Sequence, residues 1–368
     1  MDIRIKLADP GITDLERDAA CQVLECGQLV NGPQAREFEQ QLMEKTGRTH
    51  AVVVSSGTTA LLAAMVALDV GPGSTVVVPG FTFPAPASVA AFLGAEVRVC
   101  DVDPRTYCLT ADTVRPHLDE NVSLVVAIDQ FGLPAPIPEI VDLLRPYQIP
   151  ILVDAACSLG ATLGGVPCGA MGDVATFSFH PRKVVTTGEG GCVLTDHRDV
   201  ANRVRRLSNH GLDEGGFADI GLNLRMSELA AAIGRRQLDQ LEAMVVRRKE
   251  IAGMYRELPL EFQHSPSGAD HNFQTVAAML PRPLGREHRD ELIAILRKQG
   301  IEATIASYCL GSVPALASRF GLPKDTPSEA FDLYNRGLAL PAFPGLADSQ
   351  VKEVIGAVAA WLQEQKVV

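Results

Sequence analysis

The 368-residue sequence predicts an α/β fold, with a mostly parallel sheet in a large first domain and a smaller α/β domain after it. Three observations carry this. Short apolar runs recur from residue 51 to residue 196, and they are continuous in Val, Ile and Leu rather than alternating, as strands buried on both faces are. Helical patterns stand between them, and such alternation buries a parallel sheet under helices on both sides. Beyond about residue 227 the pattern becomes helical and charged, then mixed.

In order, Thr13-Asp-Leu-Glu16 fits a capping box that opens a helix running toward Leu24. The strand candidates are AVVVSS (51–56), STVVVPG (74–80), EVRVCDVD (96–103), SLVVAIDQ (123–130), PILVDAA (150–156), VATFSFH (174–180) and GCVLTD (191–196). Helices are predicted over 59–68 and 85–94. Residues 227–257 read as one long helix bridging two domains, divided as 1–240 and 241–368. The second domain contributes strand-like NFQTVAAML and GIEATIAS. It ends on a helix whose Val351, Val354, Ile355, Val358 and Leu362 share one face.

Composition excludes several classes. A formal charge of −11 argues against nucleic-acid binding, which needs a basic face. The eight cysteines (21, 26, 100, 108, 157, 168, 192 and 309) form no CxxC pair and read as reduced thiols of a cytoplasmic protein. No Cys/His cluster has metal-ligand spacing. MDIRIKLADP lacks the apolar core of a signal peptide, and SSGTT interrupts the most apolar window, so no membrane segment is expected.

The chemistry is sought where strands end, because open α/β sheets bind ligands at their carboxyl edges. After the first strand, Ser55-Ser56-Gly57-Thr58-Thr59 opens a helix. Taken alone this is a helix cap as readily as a phosphate cradle. Asp154 ends a buried strand and needs a partner, either an arginine or a protonated heterocycle. Lys183 follows another strand; a solitary lysine is usually a solvated charge, but beside a phosphate site and an acid it can form a Schiff base. The three in this order favour pyridoxal 5′-phosphate (PLP) over the separate structural readings.

With these residues in place, the chain resembles the DegT/StrS-type sugar aminotransferases, PLP enzymes of fold type I. The resemblance runs through NGPQAREFEQQL, SSGTTAL, VPGFTFPA, DQFGLPA, VDAACSLGA, FSFHPRK with TTGEGG, NHG, LNLRMSELAAAIG and LPAFPGL, in family order. It implies Lys183 as the Schiff-base lysine and Asp154 as the partner of the pyridine nitrogen. Gly57, Thr58 and Ser178 would hold the phosphate, with Phe83 over the cofactor ring. Asn223 would reach the phosphate in a neighbouring subunit, which implies a homodimer with shared active sites. Arg225, His180 and Tyr308 would face the substrate.

The sequence departs from the family at Cys157, where a glutamine or histidine usually meets the cofactor's phenolic oxygen. Leu222 and Leu224 replace tyrosines, and ASYCLGS keeps only Tyr308 of a histidine–tyrosine–proline pattern. The expected activity is amino transfer from glutamate or glutamine to a keto-sugar carried on a nucleotide. An unlinked cyclic ketone is the alternative acceptor, and elimination, epimerisation or a non-catalytic PLP-binding role are the rivals in other classes.

Overall fold

The computed structural model describes residues 3–322 and 328–365. Seven strands form the main sheet: β1 (His50–Val54), β2 (Thr75–Pro79), β3 (Glu96–Cys100), β4 (Val122–Ile128), β5 (Ile151–Asp154), β6 (Val174–Ser178) and β7 (Gly191–Thr195). Their spatial order is β1-β7-β6-β5-β4-β2-β3. Strand β7 runs antiparallel to both neighbours, and all other pairings are parallel. Each predicted strand of this region is present.

The continuous apolar runs are explained by what lies on either side. Val53, Val77, Val125, Val153 and Ala175 enter one core, whereas Val52, Val76, Leu124, Leu152 and Val174 enter another on the opposite face. A strand covered on both faces has no position for a solvated side chain. The helix Asp14–Cys26 opens with the expected capping box at Thr13 and Glu16.

A second, four-stranded sheet takes the order Glu261–Phe262, Val276–Met279, Gly337–Leu340, Thr304–Ile305, with every pairing antiparallel. Its core contains Tyr255, Leu292, Leu340, Val351, Val354, Val358, Trp361 and Leu362, and Ile5 joins it from the start of the chain. Of the predicted stripe on the last helix, Ile355 is only half-buried.

The structure corrects the long helix. Residues 227–257 hold two helices, Glu228–Asp239 and Leu241–Tyr255, separated at Gln240 (φ −100°, ψ 0°). The Gln240 N–H bonds three residues back, to Gln237 O at 3.1 Å. Its side-chain amide donates to Glu16 Oε1 at 2.8 Å, as does that of Gln237. Glu16 is 1 % exposed, and these two amides satisfy its buried carboxylate at the point where the first helix ends. The strand-like segment 272–280 is also shorter than its composition suggests. Only Val276–Met279 pairs, because Asn272 and Gln274 bond to loops of the main sheet instead.

Candidate active site

The carboxyl ends of β4, β5 and β6 lie side by side, Asp154 opposite both Ile128 and Thr176. Asp154 is 7 % exposed, and among the described residues its carboxylate accepts one hydrogen bond, from Ala156 N–H at 3.1 Å. Burial pushes its carboxyl above the usual range; the nearby Lys183 charge and the Ala156 N–H pull it back. A carboxylate with unused lone pairs in so dry a place suits a cationic ring N–H, the group a protonated pyridine presents.

Lys183 sits in a loop closed at its neck. Phe179 N–H bonds Gly190 O at 2.8 Å and Thr187 N–H bonds Phe179 O at 3.0 Å. Thr186 Oγ1 donates to the same Phe179 carbonyl at 2.9 Å, and Thr187 Oγ1 donates to Glu189 O at 2.6 Å. The threonines and glycines behind the lysine therefore fasten its loop rather than bind a ligand directly. At the tip, Lys183 N–H reaches His180 O at 2.8 Å. Its side-chain Nζ lies 3.2 Å from Cys157 Sγ.

Gly57 begins the helix Gly57–Ala67, with Ser56 as cap and Thr59 closing a reciprocal bond to it. That arrangement leaves exposed Thr58 and the free N–H groups of the first turn facing outward. A Cβ on Gly57 would stand 2.7 Å from Ser178 Cβ, so the helix start and the end of β6 are in direct contact. A Cβ on Gly191 would lie 2.3 Å from Ser56 O and 2.8 Å from Gly57 N. Gly191→Ala is therefore expected to displace the helix start. Stability should fall by about 1–3 kcal/mol, and PLP affinity at least about tenfold, one hydrogen bond's worth of misplacement. Thermal unfolding and a PLP titration check both.

The remaining predicted residues divide into two groups. Phe83 and Tyr308 face each other edge-to-face at 6.2 Å, both exposed, and the short pairing of Tyr308–Cys309 with Phe81–Thr82 holds them together. His180 Nδ1 accepts from Arg182 N–H at 3.2 Å, which leaves the ring proton of the neutral form on Nε2. Its pKa is lowered, chiefly by burial. Asn223 and Arg225 are in the other group. Arg225 pairs with Val54, its guanidinium donates to Asn209 Oδ1, and Asn223 is exposed and bridges to Asn209. Among the described residues, no hydrogen bond joins either to the Lys183 loop.

Sequence reading missed a supporting layer. Asp129, just beyond β4, is fully buried, accepting from Ser158 Oγ at 2.6 Å and Ala135 N–H at 2.9 Å. Asn272 donates to Cys157 O and Leu159 O, each at 2.9 Å, and accepts from Gln274 N–H. Gln274 Nε2 donates to Arg182 O at 2.8 Å. The second half of the chain thus pins both flanks of the lysine pocket. Gly132 (φ +99°) permits this, since a Cβ there would collide with Asn272 Oδ1. The visible signal for Asp129 was its place at a strand end, parallel to Asp154; Asn272 lies far off in sequence and had none.

Burial raises the Asp129 carboxyl to about 6, against the Ser158 and Ala135 hydrogen bonds. Between the unfolded value near 4 and this one, the folded state holds the extra proton, so stability falls as pH rises through that window. Asp129→Asn removes this loss. Relative to the parent, the variant should gain about 2–3 kcal/mol on going from pH 4 to pH 7. Denaturant unfolding at the two pH values measures it, and parallel curves would refute it.

The fold collects a buried aspartate, a loop lysine and a helix start at one sheet edge, and similarity to known proteins defines the class of enzyme. Residues 10–359 match the model of the DegT/DnrJ/EryC1/StrS aminotransferase family, and the chain belongs to that family. It is a PLP-dependent aminotransferase of the sugar-aminotransferase type. It is 31 % identical to the GDP-perosamine synthase of Caulobacter vibrioides, over 96 % of this chain and 97 % of that one. It is 32 % identical to the dTDP-4-dehydro-2,3,6-trideoxy-D-glucose 4-aminotransferase of Saccharopolyspora spinosa, covering 95 % and 94 %. Among solved structures it is similar to the aminotransferase TlmJ from Streptoalloteichus hindustanus, with a TM-score of 0.91, 30 % identity and coverage of 99 % and 100 %. No helix among the described residues is long and apolar enough to cross a membrane.

Proposed function

We propose that this enzyme moves an amino group from glutamate or glutamine to a keto-sugar carried on a nucleotide, with Lys183 as its Schiff-base residue. The observation that carries the reading is the placement of a loop-tip lysine beside the open end of a sheet where Asp154 is buried with a single hydrogen bond. PLP, when bound, supplies an electron sink that labilises the donor's Cα–H bond. Asp154 would stay ionised against its ring nitrogen. Gly57, Thr58 and Ser178 would hold its phosphate, and Phe83 would cover the ring. Cys157, 3.2 Å from Lys183 Nζ, would lie near its phenolic oxygen in this reading. Lys183 would be the base that holds and moves a proton at the donor's Cα.

His180, Arg225 and Tyr308 face the substrate in this reading. Asn223 reaches a second subunit, so the active unit is a homodimer. Exposed Leu212, Phe217, Ile220 and Leu222 surround Asn223 in sequence and supply an apolar surface for that contact. Eight free thiols suit a reducing cytoplasm. Relatives named for GDP- and dTDP-linked sugars support the nucleotide carrier. The test pairs each nucleotide-linked keto-sugar with its free sugar and with a cyclic ketone lacking the diphosphate. Amination of the linked sugar at least about a hundredfold faster in kcat/KM supports the reading. Equal rates, or preference for the cyclic ketone, overturn the nucleotide assignment.

A further inference from the structure

The thiol–amine pair at the base of the lysine loop has chemistry that amino transfer does not use. Lys183 Nζ is 3.2 Å from Cys157 Sγ, one hydrogen bond apart. Both residues are partly buried rather than sealed. Their backbones are held independently: Asn272 grips the Cys157 carbonyl at 2.9 Å, and Gln274 grips the carbonyl of Arg182, next to Lys183, at 2.8 Å. The pair is therefore preorganised, not brought together by chance rotation of two surface chains.

The other cysteines offer a contrast. Cys100, Cys108, Cys168, Cys192 and Cys309 are buried, and burial raises the pKa of every one, which keeps them as inert thiols. Cys21 and Cys26 are exposed on the first helix. Among the described residues, the hydrogen bonds place a lysine amine against no other cysteine sulfur.

We propose that Cys157 and Lys183 form a reversible covalent lock under peroxide, a sulfur–nitrogen bond that removes the cofactor-bearing amine. In the first step hydrogen peroxide oxidises the thiol: the O–O bond breaks, an S–O bond forms, and water leaves as the reduced product. In the second, the lone pair of the Lys183 amine attacks the sulfenic sulfur; an S–N bond forms, the S–O bond breaks, and a second water departs with the amine proton. The net change is the loss of two hydrogens. Two equivalents of a small thiol reverse it, regenerating Cys157 and Lys183 and leaving one disulfide. A glutamine or histidine at position 157 could not do this. The substitution thus gives this enzyme a sensitivity to peroxide whenever Lys183 is free, as it is between the two halves of the transfer.

The lock itself requires only the pair, whereas its control by the cofactor rests on Lys183 carrying PLP. The experiment separates them. Cofactor-free and PLP-loaded protein are each treated with hydrogen peroxide, digested and read by mass spectrometry, with and without dithiothreitol. The expected result is a peptide joining Cys157 to Lys183, lighter than its parts by two hydrogens, absent from Cys157→Ser and from dithiothreitol-treated samples. Loading with PLP should lower its yield at least about tenfold. A Cys157 found only as sulfinic acid, in a disulfide, or unmodified overturns the lock. A link that forms equally with PLP present keeps the lock and instead contradicts Lys183 as the cofactor residue.

Discussion

Lys183→Ala should leave a folded protein that binds PLP weakly, shows no visible band of lysine-bound pyridoxal, and transfers amine at least about a thousandfold more slowly. The effect is large because one side chain has two duties in the proposed cycle: covalent attachment, and proton transfer to and from the donor carbon. The loop that presents it should survive. Its neck bonds run between Phe179, Thr186, Thr187, Glu189 and Gly190, and none involves the lysine side chain. Unchanged thermal unfolding with lost absorbance is therefore the predicted pattern. Retained transfer at more than a tenth of the parent rate would remove Lys183 from the chemistry.

The second large effect is at Asp154. Asp154→Ala deletes the buried carboxylate and should lower the donor half-reaction by about two to four orders of magnitude, the loss of a charge facing the cofactor ring in a dry site. Stability is expected to change in the opposite sense, or hardly at all, in the cofactor-free protein. Burial raises the carboxyl's pKa, so holding the charge there costs folding free energy. Asp154→Asn keeps the Ala156 hydrogen bond and should share the kinetic defect, which separates charge from shape. Single-turnover absorbance with glutamate measures the rate, and denaturant unfolding the stability. Parent-like turnover in both variants would make Asp154 a structural residue.

What the sequence made legible follows from the physics of its parts. Continuous apolar runs announce strands covered on both faces, and all seven of the main sheet lay where those runs lie. Thr13 and Glu16 announce a helix start because the capping bonds are local. Gly57, Asp154 and Lys183 stood out because a parallel sheet collects its strand ends on one edge, while Ser178 came only from the family resemblance. The break at Gln240 was not legible: no local residue marks it, and the Glu16 carboxylate that its amide meets is more than two hundred residues away in sequence. Asn272 and Gln274 look like strand residues, and only the tertiary structure turns their amides onto the Cys157 and Arg182 carbonyls. The threonines after Lys183 brace the neck of its loop. Cys157 was noticed as a departure from the family; its nearness to the lysine amine is a fact of three dimensions.

The most direct test of the central claim is an absorbance spectrum of the protein loaded with PLP, taken before and after excess glutamate and again with glutamine, with Lys183→Ala beside it. The account predicts a visible band in the parent alone, converted by one of these donors to the spectrum of the amine-bearing cofactor with release of the matching keto acid. A band that neither donor moves, or one that persists in Lys183→Ala, would contradict it.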